Sequence, residues 1–396
     1  MEGKLLPWFK DNRTKIANCL FCIALTIELV LMIVEKSELS FSYESYVFRV
    51  TFLLTLLAVI VIKHDIREWA VIAAIFVLFA YCYVHTGRND LLRIALFIMA
   101  SRDIDLKKTM KFTFYLTLVG VIAIALLAVT GVLGDVSLTF DYGRHAGVET
   151  RYVFGFGHPN TLFSSVFALI LMWIWIYGKR AGVLPYLVAA VVATVTVIIT
   201  DSRTGMLMMA FTIMMAIFFR IFSKLSGKKW LYIFGGLISP LLCFLFTVQA
   251  AWIAEGFYAV KRNMHFGLFY WHLDYRLNNR ISNLYYATDD RAGILSRWSL
   301  FSRSGQDGYF DIGWARMVYW YGIIPTLVII LAIIAVIYVC MKERDIQAMI
   351  LIVSLGIYTL VEATFVTRYL GRDFFLLIAG VYLGKLFSNL FRTKNP

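Results

Sequence analysis

Apolar runs of roughly 20 residues alternate with short polar segments along the whole chain. A helix rising about 1.5 Å per residue crosses the roughly 30 Å hydrocarbon core of a bilayer in about 20 residues, so each run predicts a spanning helix. Twelve are expected, at 16–34, 46–62, 69–85, a short one at 91–101, then 112–132, 158–178, 184–200, 206–222, 230–252, 316–339, 347–365 and 374–388. Two stretches, 133–157 and 253–315, are too polar for lipid and too long for simple turns. With no repeat or low-complexity segment, residues 1–396 read as a single polytopic domain containing one long loop at 253–315.

Composition agrees with the pattern. The chain is 60% hydrophobic and only 16% charged, with a mean hydropathy of +0.75, whereas a soluble domain is about a quarter charged. The expected fold class is therefore an all-α integral membrane protein. Met1–Ala17 is polar and basic with no small-residue cleavage site, so no cleavable leader is expected. The five cysteines lie in or beside apolar runs and read as small apolar residues.

Charge sets the expected orientation. Basic residues precede the first span (Lys4, Lys10, Arg13, Lys15) and recur in every second loop, among them Lys63, Lys107, Lys108, Lys179, Lys228 and Lys342, and again in the tail at Lys394. The positive-inside rule places these loops, and both termini, in the cytoplasm, and the two long loops outside. All lysines except Lys36 and Lys261 fall on the cytoplasmic side, yet most arginines lie outside or within a span. Topology treats the two residues alike, so the outer arginines call for another reason. Arginine is favoured over lysine where phosphate or carboxylate is held by a planar fork of donors. An anionic ligand on the outer face is implied, and nucleic acid is a poor candidate there.

Three segments carry candidate chemistry. The first runs from Arg144 through Glu149 and Arg151 to Gly155, Gly157, His158, Pro159 and Asn160. Its glycines permit a tight turn and Pro159 suits the first turn of a helix, whose free N–H groups favour an anion. His158 at that mouth is a candidate acid, base or phosphate donor. A plain helix-start turn explains the same residues. The second is the hairpin Asp201-Ser202-Arg203-Thr204-Gly205, where an arginine at the membrane boundary needs solvation or a partner, and Asp201 is one candidate. The third is the long loop. Leu277, Ile281, Leu284 and Tyr285 mark one face of a helix, with Arg276 and Arg280 stacked at i and i+4. Aromatics around them, Trp271 and Tyr275 among them, suit an interfacial belt or platforms for sugar rings. Within the membrane, Glu28 and Arg49 are read as a structural ion pair.

These residues resemble the bacterial polysaccharide polymerase and O-antigen ligase superfamily, the Wzy-type polymerases in particular. The resemblance rests on Gly157-His158-Pro159-Asn160 entering a span, on Ser202-Arg203-Thr204-Gly205, and on the long arginine-bearing loop that ends Asp307-Gly308-Tyr309 before Tyr321-Gly322 and Pro325. It implies a GT-C-like, metal-independent glycosyltransferase without a cofactor. Its substrate would be an undecaprenyl-diphosphate-linked oligosaccharide at the outer face of the plasma membrane, with the lipid bilayer, a flippase and a chain-length regulator as partners. Arg203, with Arg276 or Arg280, would bind diphosphate; Arg151 joins them as a candidate, and Gly157, Pro159, Asn160 and Gly205 would shape the site. Ligases carry a His-Asn pair near the end of the long loop, where this chain has Gln306-Asp307-Gly308. That departure favours polymerase over ligase and makes Asp307 or His158 the candidate base.

The expected activity is thus joining of lipid-linked repeat units into capsular or exopolysaccharide. The alternatives are a flippase or transporter of lipid-linked sugars and an O-antigen-type ligase. Transporters tend to carry polar or helix-breaking sites near the midplane and paired repeats, whereas the polar clusters here fall at span ends.

Overall fold

The computed structural model describes residues 2–39, 41–141, 147–256, 267–306, 308–363 and 372–391. Helices dominate: α1 (Glu2–Glu35), α2 (Glu44–Val61), α3 (Ile66–Thr86), α4 (Asp90–Ala100), α5 (Leu106–Val129), α6 (Pro159–Trp173), α7 (Val183–Thr200), α8 (Arg203–Ile221), α9 (Lys229–Gly236) and α10 (Cys243–Ala254), then α11 (Gly267–Arg276), α12 (Arg280–Tyr286), α13 (Gly313–Tyr321), α14 (Ile323–Glu343), α15 (Ile346–Tyr358) and α16 (Arg372–Phe391).

Among the described residues, ten helical segments are long and apolar enough to cross a membrane, not twelve. The runs expected at 91–101 and 347–365 form α4, of 11 residues, and α15, of 13. At about 1.5 Å per residue each covers no more than roughly 20 Å, short of a full hydrocarbon core. By length and composition the long helices mark a multi-pass membrane protein. Their outward faces agree: Val119, Ile122 and Leu126 of α5 and Val188, Val191 and Ile198 of α7 are exposed, which suits lipid and not water.

Three departures from regular helix are local. The run at 158–178 ends in a π turn, Ile174–Gly178, and the run at 229–254 is carried past Pro240 by another, Leu237–Leu242. A π turn widens the ring of backbone bonds by one residue and absorbs a proline that an α turn would not accept. The span expected to begin at 316 is broken at Gly322, where φ is +98° and an added Cβ would lie 2.5 Å from Leu300 O and Phe301 Cα. No L side chain fits there, so α13 and α14 are separate helices.

The all-α expectation has one exception. The polar stretch 133–157 contains an antiparallel hairpin, β1 (Ser137–Asp141) and β2 (Val148–Tyr152), with Leu138 opposite Arg151 and Phe140 opposite Glu149. Alternation of apolar and polar residues in Ser-Leu-Thr-Phe-Asp is the strand signal that its brevity hid.

The chain divides into two compact units. The described residues of the first are 2–39, 41–69, 96–141, 147–225 and 372–391. Its helices meet at small or ring-bearing positions. Phe21 of α1 meets Phe97 of α4 edge to face at 4.9 Å, and Gly120 of α5 lets Ile33 of α1 approach. Gly380 and Gly384, one turn apart on α16, admit Ser101 and Arg102, a small-xxx-small contact suited to close packing in lipid. Arg102 also gathers a polar knot, donating to Glu68 at 2.8 Å and to the Lys63 carbonyl at 2.8 Å. Glu28 is buried and accepts from Thr51 of α2, while the Arg49 guanidinium lies over the Tyr46 ring at 5.2 Å.

The second unit comprises described residues 70–95, 226–256, 267–306 and 308–363. Its core packs Ala250, Ala251 and Ala254 of α10 against Ile281 and Leu284 of α12, together with Phe310, Ile312 and Ala315. Trp314 of α13 is fully buried and donates its indole N–H to the Gly356 carbonyl of α15 at 3.1 Å.

Candidate functional site

Each unit holds one cluster of the residues singled out above. In the first, Gly155 and Gly157 both have positive φ, +78° and +66°. They turn the chain from the hairpin into α6, and the Gly155 carbonyl accepts the Glu38 backbone N–H at 3.0 Å. His158 is the N-cap of α6 in extended backbone, with Pro159 the first helical residue. The Asn160 N–H donates to His158 Nδ1 at 3.1 Å. With Nδ1 accepting, the proton of a neutral imidazole sits on Nε2. His158 is exposed, with Nδ1 occupied by the Asn160 N–H.

Arg203 opens α8 and is exposed, and among the described residues it has no hydrogen-bond or ion-pair partner. The sequence offered Asp201 as its partner; Asp201 instead faces Arg151 Nη2 at 3.3 Å. Asp201 adopts the left-handed conformation at the end of α7 (φ +46°), which turns the chain sharply into α8. Arg151 is 7% exposed and also holds Glu149, at 2.6 Å. Of the two arginines in this cluster, one is committed to carboxylates and the other is free.

Gly205 brings α8 against α6. An added Cβ would come within 2.6 Å of the Phe163 ring of α6, so glycine lets the first turn of α8 pack against that ring. Each helix start carries partial positive charge. A cation in the first turn of a helix opposes the dipole. Arg203 thus raises a positive potential that an anion would relieve. Ser202 gives the α8 start no side-chain cap, whereas the α6 start is closed by His158, which accepts the Asn160, Thr161 and Leu162 N–H groups.

In the second unit the expected stack of Arg276 and Arg280 on one helix is not formed. Asn278 and Asn279 both take left-handed backbone (φ +58° and +59°) and split the segment into α11 and α12. Asparagine tolerates this conformation better than most residues. Buried Asp274 fixes the corner by accepting the Ile281 N–H at 2.7 Å and the Ser282 N–H at 3.2 Å. Arg276 is left exposed, with no hydrogen-bond or ion-pair partner among the described residues. Arg280 turns inward, where it donates to Val361 O at 2.9 Å and pairs with Glu362 at 3.4 Å and Asp311 at 3.8 Å.

Sequence reading missed Arg316 of α13, which it took as the first residue of a span. It is fully buried, with its guanidinium carbon 3.2 Å from the centroid of the Tyr309 ring and 5.2 Å from that of Trp320. The signal was an arginine set among Trp314, Tyr319, Trp320 and Tyr321. Asp307, the other candidate base, lies outside the described residues. Among the described residues no three His, Cys, Asp or Glu side chains group as metal ligands.

No family model matches the sequence, and no curated protein or solved structure matches it.

Proposed function

We propose that this protein is a membrane glycosyltransferase of the polysaccharide-polymerase kind, acting on undecaprenyl-diphosphate-linked oligosaccharides at the outer face of a bacterial plasma membrane, with both termini in the cytoplasm. The observation that carries the reading is Arg203: an exposed guanidinium at the start of α8 with no hydrogen-bond or ion-pair partner among the described residues. A diphosphate is an anion that such a fork of donors at a helix start suits.

In the proposed reaction an acceptor sugar hydroxyl attacks the anomeric carbon of the lipid-linked glycan. A new glycosidic C–O bond forms as the C–O bond to diphosphate breaks, and the lipid diphosphate leaves with the electron pair. Arg203 stabilises the charge that grows on the leaving oxygens, the electrostatic effect that dominates many such steps. The candidate base, Asp307 or His158, takes the hydroxyl proton. Arg276, exposed and with no partner among the described residues, is a separate candidate for phosphate in the second unit, while Arg151 and Arg280 are held by carboxylates.

The deciding experiment supplies purified protein with lipid-linked repeat units and resolves the products by size. A ladder of lengthening glycans is expected. A single adduct on a different acceptor would make the protein a ligase, and movement of substrate across vesicles without a new bond would make it a transporter.

A further inference from the structure

Arg316 has surroundings that a structural arginine does not need. Its relative exposure is 0%, and among the described residues none of its three guanidinium nitrogens has a hydrogen-bond partner. Its close neighbours are aromatic: Tyr309 at 3.2 Å, with Trp320 further off at 5.2 Å. Rings engage the face of a guanidinium, whereas its five N–H bonds point outward in its plane. Among the described residues, no acceptor meets the hydrogen-bonding edge in bonding geometry. The carboxylates of Asp311 and Glu362 act on it through space only, and both are also paired with Arg280.

Burying a guanidinium without hydrogen bonds or a close counter-ion is strongly unfavourable. The cost is recovered if an oxyanion docks on the free edge, as carboxylates and phosphates do when held by both arms of an arginine. A route exists: Tyr309, which covers Arg316, is itself 57% exposed. Its neighbour Gly308 is anchored, donating its N–H to the Tyr319 hydroxyl at 3.3 Å and accepting from the Trp320 indole at 3.2 Å. The Tyr309 side chain can swing without moving that anchor.

We infer that Arg316 is the core of an oxyanion-binding site for a phosphate-class group, closed in the empty state by the ring of Tyr309. The inference stands on the surroundings of Arg316 alone and does not depend on the polymerase reading.

The test uses the full chain in phosphatidylcholine nanodiscs, with inorganic pyrophosphate as the probe and the thermal unfolding midpoint as the readout. Pyrophosphate should raise the wild-type midpoint beyond the effect of sodium chloride at equal ionic strength. Arg316→Met should abolish that rise, yet unfold without ligand at or above the wild-type midpoint, because an apolar side chain replaces an unpaired buried charge. Tyr309→Ala should respond at a several-fold lower pyrophosphate concentration, since no ring has to be displaced. Discs containing phosphatidylglycerol separate the sources: an Arg316-dependent rise with that lipid and not with pyrophosphate would assign the site to a headgroup phosphate. A wild type that answers to neither probe overturns the site. So does an equal rise in Arg316→Met, or a lowered midpoint in Arg316→Met that Arg316→Lys restores. Should Arg316→Met not fold, a Tyr309→Ala response identical to wild type overturns it independently. Failure of the ladder assay alongside a retained pyrophosphate response would reject the polymerase and keep this site.

Discussion

Arg151 of β2 reaches Asp201 at the end of α7, with Nη2 and Oδ2 3.3 Å apart. The contact ties the hairpin to the helix end and draws the carboxylate away from the residue two positions on. Arg203 is left with its guanidinium free for a ligand, and the proposed chemistry depends on that division of labour.

Replacing Arg203 should accordingly damage activity and leave the fold alone. Arg203→Lys keeps the charge but loses the planar fork. Loss of one good donor to a developing charge costs about 3–4 kcal/mol, or roughly 10²–10³-fold in rate. Polymer yield and chain length in cells, normalised to protein amount, measure it. Wild-type polymer from this variant would remove Arg203 from the diphosphate site.

The opposite signature is expected for the hairpin anchor. Arg151→Met leaves Glu149 without its buried partner, and breaking such a pair costs about 3–5 kcal/mol. Asp201 is about half exposed, so Asp201→Asn should cost less, on the order of 1 kcal/mol. Thermal unfolding of the single and double variants gives the coupling. Strictly additive effects would show that the 3.3 Å contact does not bind the hairpin.

A third expectation concerns the corner between α11 and α12. Asp274→Ala removes the acceptor of the Ile281 and Ser282 N–H groups. Loss of such a cap costs about 1–2 kcal/mol. The effect should spread to Arg280, whose inward direction depends on where α12 begins. Faster proteolysis within 267–286 than in wild type would be the readout, with Asp274→Asn intermediate.

Orientation is directly measurable. Single cysteines placed in 133–157 and 253–315 of a cysteine-free variant should react with an impermeant maleimide on intact cells. Cysteines beside Lys108 and Lys228 should stay unlabelled. The reverse pattern would invert the topology and remove the proposed site from the outer face.

Much of this was readable in the residues. Apolar runs located the long helices, and Gly155, Gly157 and Pro159 announced the turn into α6 because each has a restricted conformational use. What escaped depended on choices among distant partners. Asp201 had an arginine two positions away and another fifty back, and only the hairpin register decides between them. Asn278-Asn279 was a visible break signal, outweighed by an apolar period that continues across it. Arg316 was hidden because hydropathy registers a charge at a span edge but not whether anything pairs with it.

The π turns at Ile174–Gly178 and Leu237–Leu242 bear on how this chain tolerates changes of length. Removing one residue from an ordinary helix rotates everything beyond it by about 100°, since 3.6 residues make a turn, and scrambles which side chains face the interior. A π turn already holds one residue more than the α repeat requires. A single deletion within Ile174–Gly178 would return the segment to α geometry with the helical faces on either side still in phase, and within Leu237–Leu242 the same holds when Pro240 is the residue removed. Variants of this protein one residue shorter are therefore easily accommodated at those positions.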